Sequence, residues 1–322
     1  MFQFSRVLVS KLALSSKSWT FALINSPTLR QPYLLRAMSS GSNLASALMG
    51  PPVCSLVPPG VCQFGPDFTA ASLLERIKVS PTSSLLRFGL PDANQPLNLS
   101  TCACILANAD IDGEDVTRPY TPISTNADIG YFDMLIKDYG KDAKMSRYMC
   151  EVLQPGEAVN FKHINPNVKL QAPFSFDHIL MLVGGTGLTP MVQALHAILG
   201  SINPTIDSKK PKVTMLYGSK SSDDILGKDL LDQWAKDYPE QFKLITVLSD
   251  EPEDSDWKGE RGYITKDLVA DNFPSPDADN LQVFVCGPPP MYNALSGPRD
   301  DTDKVGGLLG DMGYKPSQVY KF

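Results

Sequence analysis

Around Phe176 the chain changes rhythm, and that change limits the fold more than any other feature of the sequence. From Asp67 to about Pro173, short apolar runs recur between turns: Leu73–Val79, Leu85–Leu90, Thr101–Leu106, Val116–Tyr120, Tyr131–Ile136 and Ala158–Phe161. That spacing predicts a small antiparallel barrel. Met145–Leu153, closed by Gln154-Pro155-Gly156, reads as a short helix and its stop. After Phe176, strand and helix patterns alternate. His178–Val183, Lys212–Tyr217, Phe242–Leu248 and Leu281–Cys286 read as strands, and Pro190–Leu199, Asp224–Tyr238 and Thr265–Asn272 as helices. Alternation of this kind predicts an α/β domain around a parallel sheet. Thr189 is expected to cap the first of those helices, with Pro190 where a missing N–H costs nothing.

A length of 322 residues suits two domains. A net charge of -6 argues against a nucleic-acid protein, for which a basic surface supplies most of the affinity. Six cysteines are spread thinly and show no disulfide framework. Cys102 and Cys104 form a C-x-C without a second pair at metal-ligand spacing, and read as two small residues on one strand face. His163, His178 and His196 share no ligand spacing and read as structural, so no metal site is expected. Met145, Met149, Met181 and Met191 read as core.

The N-terminal stretch has its own composition. Arg6, Lys11, Lys17, Arg30 and Arg36 precede the first acidic residue, Asp67, and serines are dense. Basic, Ser-rich and acid-free is the make-up of a mitochondrial transit peptide. The expected organisation is therefore a transit peptide over residues 1–40, a Pro/Gly linker over 41–66, the barrel over 67–173 and the α/β domain over 174–322.

Three segments, joined by a strand end further on, carry chemistry. Arg118-Pro119-Tyr120-Thr121 ends a barrel strand, and strand alternation sends Arg118 and Tyr120 to one side. A flavin needs a flat face, a cation for its pyrophosphate and a hydrogen-bond donor near N5; Tyr120, Arg118 and Thr121 can supply all three. Lys144-Met145-Ser146 opens the short helix, where backbone N–H groups make a phosphate seat. Gly184-Gly185-Thr186-Gly187-Leu188-Thr189-Pro190-Met191 lies between a strand and a helix, where glycines let the backbone approach a ligand. Its spacing differs from the G-x-G-x-x-G fingerprint. A further parallel strand ends in Cys286-Gly287-Pro288-Pro289-Pro290-Met291, over the same crevice.

Taken in this order and spacing, the segments resemble the ferredoxin-reductase superfamily, and are most similar to the NADH–cytochrome b5 reductase family. The resemblance runs from about Glu75 to Phe322 and takes in Gly130–Lys137, Asp224-Ile225-Leu226, Gly262-Tyr263-Ile264 and Tyr320-Lys321-Phe322. It implies an FAD-binding barrel followed by an NAD-binding α/β domain. Arg118, Pro119, Tyr120, Thr121, Leu135, Lys137, Lys144, Met145, Ser146 and Thr189 would surround FAD. Gly185, Thr186, Cys286, Gly287, Pro288 and Met291 would receive NADH, and Phe322 would lie near the flavin. Thr121 would hydrogen-bond the flavin and Cys286 would set the depth of the nicotinamide. The implied activity is hydride transfer from NADH to FAD, then single electrons to a heme protein such as cytochrome b5.

Two places depart from the family pattern. Lys78-Val79-Ser80-Pro81-Thr82-Ser83 replaces Lys-Val-Ser-His-Asn-Thr, and Lys162-His163 replaces a Gly-Pro after the Phe161 strand. NADH is expected over NADPH because Phe242–Leu248 runs into Ser249, Asp250 and Glu251, with no cation before Lys258. Carboxylates there favour a free ribose over a 2′-phosphate. The competing readings are an NADPH-using or other reductase of the superfamily, and a silent flavin-binding interaction module. Peripheral membrane association is compatible with the sequence, and oligomeric state is not legible in it.

Overall fold

A computed structural model describes residues 44–164, 171–200 and 210–322; the expected transit peptide lies outside the described residues. Strands β1 (Thr69–Ser80), β2 (Ser83–Gly89), β3 (Ile105–Ile111), β4 (Glu114–Tyr120), β5 (Tyr131–Lys137) and β6 (Ala158–His163) form one antiparallel sheet in the order β4-β3-β6-β1-β2-β5. The sheet curls round its own core as a barrel left open between β4 and β5, which are not hydrogen-bonded to each other. Phe64, Phe88, Phe132 and Phe161 fill it, with ring centroids 5.0 Å apart at the closest pair and several edge-to-face contacts. Such contacts add to the area term, which is already large for four buried aromatics. Arg87 and Asp133, opposite each other on β2 and β5, are both buried and joined by two hydrogen bonds of 2.7 Å.

The second sheet is parallel. Strands β7 (His178–Gly184), β8 (Lys212–Ser219), β9 (Phe242–Leu248), β10 (Glu260–Arg261), β11 (Leu281–Cys286) and β12 (Val319–Lys321) lie in the order β10-β9-β8-β7-β11-β12. Both faces are covered, so β7 is apolar at nearly every position. Ile179, Met181 and Val183 pack on one core; Leu180 and Leu182 pack on the other. The first of these cores also takes in Leu85, Cys102 and Leu135 from the barrel, so the two halves share packing.

Several local expectations need correction. The third strand begins at Ile105 rather than Thr101, because Cys102 adopts a left-handed φ of 61° in the turn before it. The Cys102–Cys104 pair is therefore not on one strand face. The short helix runs over Lys144–Arg147 and widens into a π turn over Tyr148–Val152. Asp224 does not open a helix: it ends a 3-10 turn, and the helix spans Lys228–Asp237 after a left-handed Gly227. The helix after the glycine turn starts at Leu188, so Thr189 lies inside it and Gly187 takes the cap position. The Thr189 hydroxyl donates back to the Thr186 carbonyl at 3.2 Å.

Residues 44–66, expected as a linker, pack across both halves instead. Leu44 is buried in the core shared by the two halves. The Gly50 carbonyl accepts from Trp234 Nε1 at 2.9 Å, and the Val53 N–H donates to His196 Nδ1 at 2.9 Å. Further along, Asn126 Nδ2 donates to the Ser55 carbonyl at 3.3 Å, and Phe64 sits in the barrel core. His196 is thus a buried acceptor packed edge-on against Trp234, in keeping with its structural reading. Met145, Met149, Met181 and Met191 are all buried, as expected.

Candidate functional site

A cleft with two lobes runs along the junction of the sheets. The first lobe, about 410 Å³, lies over the gap between β4 and β5 and is closed on the far side by the ends of β7 and β11. Arg118, Pro119, Tyr120 and Thr121 line it from the end of β4, and Leu135 and Lys137 from β5. Met145, Ser146, Thr186, Thr189, Cys286, Gly287 and Pro288 complete the wall from the other elements. Phe322 lines the same lobe, packed edge-on against Phe284 and Tyr320. The second lobe, about 550 Å³, lies over the parallel sheet and is lined by Gly185, Asp250, Pro288 and Met291. Both volumes fall in the range of sites for small ligands and cofactors.

Two glycines make the cleft possible. A Cβ on Gly187 would collide with the Cys286 carbonyl, and one on Gly184 with the Met291 sulfur. The glycine turn and the Cys286–Met291 turn therefore touch backbone to backbone at the sheet edge. Gly185 has a left-handed φ of 52° and open space where its Cβ would be, so it faces the second lobe bare.

The polar groups are disposed for anions and aromatic rings. Arg118 Nη1 donates to the Thr117 carbonyl at 2.7 Å, and its other donors have no protein partner among the described residues. A cation in a cleft with free donors is what a pyrophosphate requires, so the wall fits FAD. Burial raises the Tyr120 phenol above its ordinary pKa, so it stays neutral, a flat face beside Arg118. Lys144 does not face inward: its ammonium pairs with Glu114 on the exposed rim. Lys137 lines both lobes, and its ammonium is held by Asp224 at 2.5 and 2.6 Å. Cys286 lies against the Tyr292 hydroxyl, which donates to the Phe322 carbonyl at 2.6 Å.

In the second lobe, Asp250 and Lys220 are both present. Glu251 is committed elsewhere, accepting from the Ser222 N–H at 2.7 Å and the Ser222 hydroxyl at 3.0 Å. Tyr139, Tyr292 and Arg299, which the sequence did not single out, line the first lobe, as does Cys104, which read as structural. The Asp138-Tyr139-Gly140 turn directly after the Lys137 strand was the available signal for Tyr139; Arg299 left none. No group of three or more potential metal ligands occurs among the described residues.

Open barrel, parallel sheet and two-lobed cleft define an FAD- and NAD-binding oxidoreductase, and comparison with known proteins agrees. Residues 70–169 match the family described as oxidoreductase FAD-binding domain, and residues 181–296 that described as oxidoreductase NAD-binding domain. The chain is 39% identical over 249 residues to NADH-cytochrome b5 reductase 2 of Pyricularia oryzae, covering 76% of this chain and 72% of that one. It is also 39% identical to the protein of that name from Yarrowia lipolytica, covering 76% and 82%. Among solved structures, the cytochrome b5 reductase domain of Ulva prolifera nitrate reductase superposes with a TM-score of 0.68. That domain is 29% identical, and the match covers 81% of this chain and all (100%) of that one. The chain belongs to the NADH–cytochrome b5 reductase family.

Proposed function

We propose that the protein passes electrons from NADH through FAD to a one-electron heme acceptor, cytochrome b5 in the first instance. The observation that carries this reading is that Thr121 and Cys286, from different halves of the chain, line one lobe. Their common lining supports reading Thr121 as a donor for the flavin edge and Cys286 as a stop for the nicotinamide, and stacking geometry is the main catalytic term for hydride transfer. Bound FAD supplies the redox chemistry, taking a hydride and returning electrons singly. The protein's share is position and electrostatics. Tyr120 and Leu135 offer apolar faces, Arg118 meets the pyrophosphate, and the glycine turn admits the dinucleotide at the sheet edge. The names of the relatives support cytochrome b5 as the acceptor.

The test is direct. Purified protein should be yellow, bleach on anaerobic addition of NADH and reduce added cytochrome b5. Arg118→Glu should lose FAD, read as flavin absorbance per polypeptide. Full flavin occupancy in that variant would remove Arg118 from the pyrophosphate site.

We also propose a mitochondrial address carried by residues 1–40, supported by their basic, acid-free composition. A reporter fused to that segment should enter mitochondria, and a cytosolic reporter would overturn the proposal. No helix among the described residues is long and apolar enough to cross a membrane.

A further inference from the structure

Four residues line both lobes of the cleft: Lys137, Tyr139, Gly184 and Pro288. They mark the passage through which a ligand in one lobe reaches a ligand in the other. Three of them are fixed. Lys137 is held by Asp224 at 2.5 Å. Gly184 ends β7, in register with Gly218 of β8. Pro288 has its own ring, and its Cδ lies 3.0 Å from where a Gly184 Cβ would be.

Tyr139 is different. The residue is 59% exposed, and its hydroxyl is hydrogen-bonded to Thr186 Oγ1 at 2.6 Å. It stands in the irregular stretch between β5 and the Lys144–Arg147 helix. The root of that stretch is fixed, since Asp138 Oδ1 accepts the Gly140 N–H at 2.8 Å. Beyond it, Gly140 has a left-handed φ of 88° and open space where a Cβ would be. Although much of the residue is exposed, partial desolvation of the phenol, then the charges of Asp224 and Cys286, raise it above its ordinary pKa, while bonding to Thr186 opposes this. The group is therefore a neutral hydrogen-bonding one at physiological pH.

We propose that Tyr139 is the gate and positioning residue for the nicotinamide end of the dinucleotide: bonded to Thr186, its phenol occupies the passage between the lobes, and it swings aside when the ring enters. The proposal rests on the assignment of the second lobe to NADH. Its consequence is selective. The closed arrangement competes with the nicotinamide half and leaves the ADP-ribose half alone. A ligand that needs a minor arrangement binds more weakly by the fraction in which that arrangement is populated. One hydrogen bond of this kind is worth roughly fivefold in such an equilibrium.

The experiment is calorimetric titration of the FAD-loaded protein with NAD+ and, separately, with ADP-ribose. Wild type, Tyr139→Phe and Tyr139→Ala are compared. Tyr139→Phe keeps the ring and loses the bond to Thr186. It should bind NAD+ roughly fivefold more tightly than wild type, and Tyr139→Ala at least as tightly. ADP-ribose affinity should stay within about twofold across all three. Unchanged NAD+ affinity, or weaker NAD+ binding by Tyr139→Ala, would overturn the gate; the second result would make the phenol a stacking partner instead. A parallel change for both ligands would also overturn it, since a gate at the passage cannot act on ADP-ribose. If wild type bound neither ligand, the assignment of the second lobe to NADH would fall first. Normal ADP-ribose binding separates that failure from failure of the gate alone.

Discussion

Lys137 and Asp224 meet across the junction of the two halves at 2.5 Å, each side chain 13% exposed. Lys137 ends β5 of the barrel and Asp224 ends the 3-10 turn after β8 of the parallel sheet. The Thr82 hydroxyl adds a second bond from the barrel to the same carboxylate, at 3.0 Å. One aspartate thus holds two barrel side chains at the point where the lobes of the cleft join.

Asp224→Ala should accordingly loosen the junction. It leaves a largely enclosed ammonium unpaired, at a cost of about 2–3 kcal/mol, between the values for exposed and fully buried pairs. Urea unfolding measures this, and the Lys137→Met/Asp224→Ala double variant should recover part of the loss. A single variant within about 0.5 kcal/mol of wild type would show that the pair is not a fastening.

Gly187→Ala should be far more damaging than Gly185→Ala. At Gly187 the new methyl meets the Cys286 carbonyl, which sits on a strand end and cannot give way. Overpacking of that kind costs about 1–3 kcal/mol or more. At Gly185 there is room, and only the left-handed backbone opposes alanine, at roughly 1 kcal/mol. Thermal denaturation of the two variants side by side decides the matter; equal losses would contradict the backbone contact.

Cys286→Ala should slow reduction of the flavin by NADH by one to two orders of magnitude, roughly 1.4–2.7 kcal/mol of barrier. FAD content should be unchanged. Stopped-flow spectroscopy reads both, and wild-type rates would take Cys286 out of the reacting geometry.

The coenzyme preference should be at least about tenfold in kcat/KM for NADH over NADPH, or about 1.4 kcal/mol. Asp250 faces the second lobe, and a 2′-phosphate there meets a carboxylate. Lys220 lines the same lobe and softens the effect, so Asp250→Ala should narrow the ratio and Lys220→Ala widen it. Ferricyanide reduction with both nucleotides provides the measurement.

Acid should weaken the fold through two histidines. Burial lowers the pKa of His163, and burial with help from Lys212 lowers that of His178. The unfolded chain therefore takes up protons that the folded one refuses. Stability contributed by the neutral rings is complete above the unfolded value, near pH 6.5, and is lost as pH falls from there towards the depressed folded values. Urea midpoints at pH 7.5 and 5.5 should differ for wild type, and His178→Gln should shrink the difference. An unchanged difference would relieve His178 of that role.

Much of this molecule was legible because its punctuation is local. Phe242–Leu248 and Leu281–Cys286 begin and end where the sequence says, the second stopped by Gly287 and Pro288. Arg118 to Thr121 and the glycine turn point to a flavin and a dinucleotide only when taken together, by their order along the chain and the family they resemble. What could not be read depends on contacts distant in sequence or on backbone handedness. Pro51, Pro52, Pro58 and Pro59 look like a linker, yet the segment around them is held by Trp234 and His196. Nothing near Cys102 signals its left-handed turn, which starts β3 late. Thr189 looks like a cap, but Gly185–Gly187 first make a 3-10 turn, and the helix starts two residues early. Tyr139 gains its meaning only from Thr186, 47 positions away.

The fastening of residues 44–54 also has a consequence in time. Their partners are His196 and Trp234, the second lying 184 positions after Gly50. During synthesis at about 5–20 residues per second, that stretch waits roughly 10–40 s for Trp234 to follow Gly50 out of the ribosome. The barrel residues can condense in the meantime, while residues 50–53 still lack the partners that fasten them. Ribosome-bound chains arrested before His196 should be cut by protease near Val53, and full-length chains should resist at the same position.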